Sequence, residues 1–171
     1  MKNSVVNFKV SSALKNLIGK ELITNSSVAV FELVKNSFDA KSNNIDVVFN
    51  LDKGSIEIID DGTGMSHYDI INKWLFIGYS EKKDVNDGSL SGNKGIGRFS
   101  CDRLGSKLRL ITINNNEKSE IFIDWDLFEK NQSNEIQDYV FNLITNPSEE
   151  KNGTIIEITN LRDEWSVFSA L

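Results

Sequence analysis

The segment GNKGIGRFS places Gly92, Gly95 and Gly97 immediately before a helix expected from about Arg98 to Leu104. Residues without side chains ahead of a helix start expose backbone N–H groups, and the helix dipole adds partial positive charge there, so phosphate is the natural guest. The same spacing also serves ordinary loops. It is not a Walker A loop, since no Gly-Lys-Ser/Thr closes it, and it does not follow a first βα strand as a dinucleotide fingerprint should. A second motif, DDGTGM, puts Asp60 at the end of a strand, with Gly62 and Gly64 allowing a sharp turn and close approach of the backbone to a ligand. Asp60 offers a carboxylate to a donor such as an exocyclic amine. An Asp-Gly pair is first of all a turn, and a calcium loop would need further regularly spaced oxygens that do not follow here. A third stretch, FELVKNSFDA, carries Glu32, Asn36 and Asp39. On a helix turning about 100° per residue they share a stripe about 60° wide. Taken alone, this stripe is equally the solvated face of a surface helix. A fourth, NGTIIEITNL, is in isolation a turn, at Gly153 and Thr154, entering a strand.

The elements that must position these groups follow from periodicity. A short extended start near Val5 to Val10 precedes a helical segment from Ala13 to about Ile23, and the helix of FELVKNSFDA begins near Ser27. Val30, Phe31, Leu33, Val34 and Phe38 lie opposite its polar stripe, and Phe31, Val34 and Phe38 are expected to anchor it to a sheet. NIDVVFNL and SIEIID alternate as strands around a turn at Gly54, which predicts a hairpin. A helix is expected from His67 to about Phe76, with Trp74 in the core. From Gly78 to Gly97 the composition shifts to glycine, serine, asparagine and charge, the signature of a long loop that is either a functional lid or an excursion. KLRLITIN and SEIFIDW then pair around NNNEK, YVFNLIT adds a strand, TNPSEEKNG with Pro147 reads as a loop, and GTIIEITNL closes the sheet. Helices early and strands late predict an α+β two-layer sandwich, with helices over one face of a sheet.

Bulk properties narrow the classes. A chain of 171 residues suits one domain, burying about 70% of the surface its unfolded form exposes. No apolar run approaches the length of about 20 residues that a membrane helix needs, and MKNSVVNFKV lacks the features of a secretory signal, so a cytoplasmic protein without membrane contact is expected. The single cysteine, Cys101, excludes an intramolecular disulfide and every multi-cysteine metal site. Cys101 is expected as a buried thiol and the single histidine, His67, as a solvent-facing side chain. A net charge of −6 argues against broad nucleic-acid binding by this domain.

In their order and spacing the four motifs resemble those of the GHKL, or Bergerat-fold, ATPase superfamily, which includes type II topoisomerase ATPase subunits, ninety-kilodalton heat-shock chaperones, sensor histidine kinases and MutL-type mismatch-repair proteins. ELVKNSFDA is similar to that family's N box, DDGTGM to its G1 box, GNKGIGRFS to its G2 box and GTIIEITNL to its G3 box. The resemblance runs from about Phe31 to Leu161. It implies a two-layer sandwich, a mixed and mostly antiparallel sheet, and ATP held between the helical layer and a lid at about residues 78–97. It further implies Glu32 as the general base that orients and deprotonates water, and Asn36 as a ligand of Mg²⁺. Asp60 would accept from the adenine amine, supported by Thr154, with Met65 packed on the base and Gly62 and Gly64 shaping the turn. Gly92, Lys94, Gly95, Ile96 and Gly97 would line the phosphates. Asp39 and Ala40 complete the N box, Asp39 without an assigned task, and Ser80 and Lys82 could reach nucleotide when the lid closes.

Within the superfamily, Glu32 four residues before Asn36 favours hydrolysis over the phosphotransfer of a histidine kinase. The N and G3 boxes look nearer to MutL- and Microrchidia-like groups, in which ATP closes the N-terminal domains into a homodimer and a following transducer domain supplies a lysine. The resemblance therefore implies that residues 1–171 are the ATP-binding module of a longer protein, set among large bacterial proteins of DNA maintenance or phage defence, with a DNA or protein client reached through other domains. An ATP-sensing module without turnover is the second reading.

Overall fold

Two consecutive cross-strand rows of apolar side chains explain why this chain folds as one sheet with one covered face. The computed structural model describes residues 1–10, 25–77, 99–127 and 140–165. Its strands are β1 (Lys2–Asn7), β2 (Lys9–Val10), β3 (Ile45–Asn50), β4 (Ser55–Asp60), β5 (Phe76–Ile77), β6 (Gly105–Asn114), β7 (Glu117–Asp124), β8 (Val140–Pro147) and β9 (Gly153–Leu161). Seven of them form a sheet in the order β1-β8-β7-β6-β9-β4-β3, antiparallel at every pairing. Among the described residues, parallel pairing is confined to the separate β2–β5 ribbon, Lys9 against Phe76 and Val10 against Ile77.

Side chains alternate across a strand, so register puts whole rows on one face. One inner row, from β4 through β9, β6 and β7 to β8, reads Ile58, Ile156, Leu110, Ile121, Leu143. Another brings together Ile56, Ile158, Leu108 and Ile123, and Phe141 meets Val6 at the far side. All of these are buried. Phe8, just beyond β1, fills the same side, with its ring 5.6 Å from that of Trp125 and 5.4 Å from that of Phe141. The outer face is charged instead. Arg109 reaches Glu120 at 2.6 Å and Glu157 at 3.5 Å, and Lys107 pairs with Asp124 directly opposite. Opposite charges facing each other across strands keep this face wet and in register.

Helices cover the inner face. Helix α1 (Ser26–Asp39) starts at Asn25, whose side chain accepts from the Val28 amide at 2.9 Å. It ends as the chain turns left-handed at Lys41, with φ 62°. A short α2 (His67–Asp69) opens with a capping box between Ser66 and Asp69 and continues as a π-helical turn, Ile70–Trp74. Helix α3 (Phe99–Leu104) packs between α1 and strands β6 and β9. Cys101 and Leu104 on α3 are buried beside Ala29 and Leu33 of α1. The expected α+β two-layer sandwich is what forms, and the predicted hairpins β3–β4 and β6–β7 stand. Trp74 packs against the core, as expected. The helix predicted at Ala13–Ile23 and the loop 78–97 lie outside the described residues. No helix among the described residues is long and apolar enough to cross a membrane.

Two expectations need correction. Helix α1 does not anchor through Phe31 and Phe38, which are 64% and 71% exposed; Ser26, Ala29, Leu33 and Ser37 are buried instead. Small side chains let the helix axis approach the sheet and α3, and that closer packing turns the two phenylalanines outward. His67 does not face solvent. It is half-buried, its Nδ1 2.8 Å from Thr145 Oγ1 and its Nε2 3.2 Å from Ser4 Oγ, so it ties α2 to β8 and β1.

The rotation of α1 can be tested by denaturant unfolding. Leu33→Ala is expected to cost about 2–5 kcal/mol through the cavity it leaves, whereas Phe31→Ser is expected to stay within about 0.5 kcal/mol. Equal losses from the two would contradict the burial pattern.

Candidate functional site

At the end of the sheet nearest the C-terminus of α1, the inner row changes character. Asp60, Thr154, Thr112, Ser119 and Thr145 lie side by side on β4, β9, β6, β7 and β8. The last four are 7% exposed or less. Buried hydroxyls need partners, and a single crossing segment supplies many of them. The backbone leaves β4 at Asp60 and passes over the row. The Met65 amide donates to Thr112 Oγ1 at 2.8 Å, and two residues later His67 meets Thr145. Thr145 Oγ1 is also 2.8 Å from Ser119 Oγ.

Asp60 is held at both oxygens. Ser37 Oγ on α1 donates to Oδ2 at 2.8 Å, and the Gly62 amide donates to Oδ1 at 2.9 Å. Two donors on one carboxylate fix its plane and leave its remaining lone pairs able to accept from a further donor. Thr154 is paired directly across from Asp60. Thr154 Oγ1 lies 3.2 Å from Thr112 Oγ1, which is also 3.2 Å from the Gly153 carbonyl oxygen. One buried hydroxyl therefore joins Met65, Gly153 and Thr154.

Asp61, one residue on, does different work. Its Oδ1 accepts from the amides of Asn43 and Asn44 at 2.7 and 2.9 Å, and its Oδ2 accepts from the Asn44 side chain at 2.7 Å. The Asn44 amide and side chain, with smaller help from the Asn43 amide, hold its carboxyl below the ordinary aspartate range. Asp61 thus fastens the α1–β3 connection to the turn that follows β4.

The turn itself needs its glycines for reasons of space. Gly64 has φ 66°, and a Cβ there would collide with the Ile113 carbonyl oxygen. A Cβ at Gly62 would press on Ser42 and Ala40, and one at Gly153 on the Asp60 carbonyl oxygen. Ala40 is small for the same contact, and its carbonyl accepts from the Thr63 amide at 3.0 Å. The end of α1 and the turn after β4 are therefore one packed unit.

Of the residues singled out in the sequence, Asp60, Gly62, Gly64, Met65, Ala40 and Thr154 come together here. Met65 is half-buried against the core. Glu32 is half-buried, while Asn36 and Asp39 are exposed, all on the flank of α1 away from Phe31 and Phe38. Gly92, Lys94, Gly95, Ile96 and Gly97, with Ser80 and Lys82, fall outside the described residues. Sequence reasoning did not single out Ser37, Asp61 or Thr112. Ser37 sits inside the N-box stretch and Asp61 inside DDGTGM, so both were in view; Thr112 carried no local signal beyond its inward place in an alternating strand. Among the described residues no group of three or more His, Cys, Asp or Glu side chains could hold a metal by itself.

The chain matches the family described as Histidine kinase-, DNA gyrase B-, and HSP90-like ATPase over residues 23–154, more than three quarters of its length. It belongs to that family, and the fold is that of a GHKL-type ATP-binding domain. No curated protein matches the chain.

Two outcomes test the geometry. Gly54 has φ 59° and open space around it, so Gly54→Ala pays only for the backbone conformation, about 1–2 kcal/mol. Gly64→Ala adds a steric clash and is expected to lose more stability than Gly54→Ala in the same unfolding assay. For Asp61, whose folded pKa is depressed, the stabilisation is complete above the ordinary value of 3.8 and disappears as pH falls through the lower folded value. Asp61→Asn is therefore expected to flatten the acid limb of the stability curve below that pH. An acid limb as steep as wild type's would contradict the role assigned to Asp61.

Proposed function

We propose that this domain binds ATP with Mg²⁺ and hydrolyses it. The observation that carries the reading is the Asp60 carboxylate, locked by Ser37 and Gly62 at the end of β4 with Thr154 beside it. A fixed acceptor at a strand end, next to a glycine turn, suits the exocyclic amine of adenine, whereas guanine would present a carbonyl there. Glu32 and Asn36 stand one turn apart on the neighbouring flank of α1, where the triphosphate would extend.

The donor set fits Mg²⁺ as that ion is usually held. Asn36 offers one neutral oxygen, and with no carboxylate cluster among the described residues the ion would take its other ligands from phosphate and water. When bound, it neutralises charge on the phosphates during transfer. Glu32 would hold a water in line with the γ-phosphate and take its proton as the water oxygen bonds to phosphorus and ADP leaves. Asp39, exposed at the end of the same stripe, has no contact among the described residues that assigns it a role in this chemistry.

In the wider reading, closure of a lid at about residues 78–97 over ATP couples binding to homodimerisation of a longer protein, in which further domains carry a DNA or protein client in DNA maintenance or phage defence. The resemblance to MutL- and Microrchidia-like groups supports this part, and the spacing of Glu32 four residues before Asn36 favours turnover.

Titration calorimetry with ATP and magnesium is expected to show binding to wild type and a loss of about 10- to 100-fold in Asp60→Asn. Glu32→Ala is expected to retain binding while turnover falls by about 10²- to 10⁴-fold. Binding without turnover above the Glu32→Ala control would leave a sensing module in place of an ATPase, and no binding to wild type would end both readings.

A further inference from the structure

We propose that Thr112 is a positioning residue that sets the direction of the Thr154 hydroxyl proton and thereby the preference of the site for an amino edge over an oxo edge; this rests on the nucleotide reading above. Thr112 is fully buried, and its hydroxyl oxygen has three polar neighbours: the Met65 amide at 2.8 Å, the Gly153 carbonyl oxygen at 3.2 Å and Thr154 Oγ1 at 3.2 Å. An amide N–H only donates and a carbonyl oxygen only accepts. A hydroxyl has one proton to give and two lone pairs to receive.

One arrangement satisfies all three neighbours. Thr112 gives its proton to the Gly153 carbonyl, and its lone pairs receive the Met65 N–H and the Thr154 O–H. Thr154 has then spent its only proton on Thr112. Toward Asp60, on the adjacent strand, it presents lone pairs alone.

Asp60 is in the same state, since Ser37 and Gly62 both donate to it and its free lone pairs can only accept. The directly paired residues of β4 and β9 therefore form a wall made of acceptors. A 6-amino purine meets that wall with N–H groups. With position 6 against that wall, a 6-oxo purine presents the lone pairs of O6, its proton lying on N1 instead, and loses hydrogen bonds at that position in a partly buried place. Thr112 touches neither ligand. It acts through Thr154, which would otherwise rotate its proton toward an oxo group and tolerate it.

The test uses ATP and ITP, which differ in the group at position 6 of the purine and in whether N1 carries a proton, with the whole 171-residue chain. Dissociation constants for both, and the melting temperature, are measured for wild type, Thr112→Val, Thr112→Ser and Thr154→Val. The ITP-to-ATP ratio is expected to fall about tenfold in Thr112→Val and to hold in Thr112→Ser, which keeps the hydroxyl. It is expected to fall in Thr154→Val, with Thr112→Val adding nothing further in that background. A merely structural Thr112 would weaken both nucleotides by one factor as the melting temperature drops, leaving the ratio unmoved, and that result overturns the proposal. Should Thr112→Val fail to fold, an unchanged ratio in Thr154→Val overturns it equally. Wild type that binds neither nucleotide removes the underlying reading, a failure distinct from binding without discrimination.

Discussion

The polar row at one end of the sheet is the constraint from which the site follows. In the next two rows the same strands present only isoleucine, leucine and phenylalanine to the helices, and their burial needs no partner beyond shape. Thr154, Thr112, Ser119 and Thr145 are buried as deeply but carry hydroxyls, and each unpaired hydroxyl would cost about 1–3 kcal/mol. The chain answers by running its own backbone across that row. Met65 and His67 meet the hydroxyls of β6 and β8 in passing, and the turn between Asp60 and Met65 takes its course from where those partners lie. Glycine becomes obligatory where this path crowds β6 and β9, at Gly64 and Gly153.

The same economy governs α1. Its buried face is made of serine, alanine and leucine, a weak face by apolar content and a good one for close approach. Closeness is what lets Ser37 reach the Asp60 carboxylate and Ala40 accept from Thr63. A helix packed through Phe31 and Phe38 would stand farther off, and the Ser37 hydroxyl would lose its reach. Packing and site geometry are thus set by one choice of small residues.

That choice explains which parts of the protein could be read from its sequence. Strands β3, β4, β6, β7 and β9 were legible because their inner and outer rows alternate strictly, and β3–β4 was bounded by a clear turn at Gly54. The turn after β4 was legible from its glycines, whereas Asp60 gained weight as a candidate only through the order and spacing of all four motifs, since DDGTGM alone is first of all a turn. The facing of α1 was not. Periodicity weighs side chains by size and apolarity, so it assigned the anchoring role to phenylalanines, while distance of approach is set by the smallest residues and by a hydrogen bond to another element. Thr112 was hidden for a related reason. In KLRLITIN it is one more inward position, and its importance lies in what β9 and the turn bring to it from distant parts of the chain.

Asp60 and Asp61 show how far adjacent identical residues can diverge once the backbone turns between them. Asp60 is the last residue of β4, its side chain on the inner face, where one helix hydroxyl and one amide orient it and leave its remaining lone pairs unspent by those two donors. Asp61 has left the ladder, and three N–H groups of Asn43 and Asn44 engage its oxygens. The first carboxylate is held yet open, and the second is consumed by the fold. Their coupling is mechanical: Asp61 fixes the connection that follows α1, α1 carries Ser37, and Ser37 orients Asp60. A carboxylate engaged by the α1–β3 connection therefore helps decide the angle at which its neighbour is held.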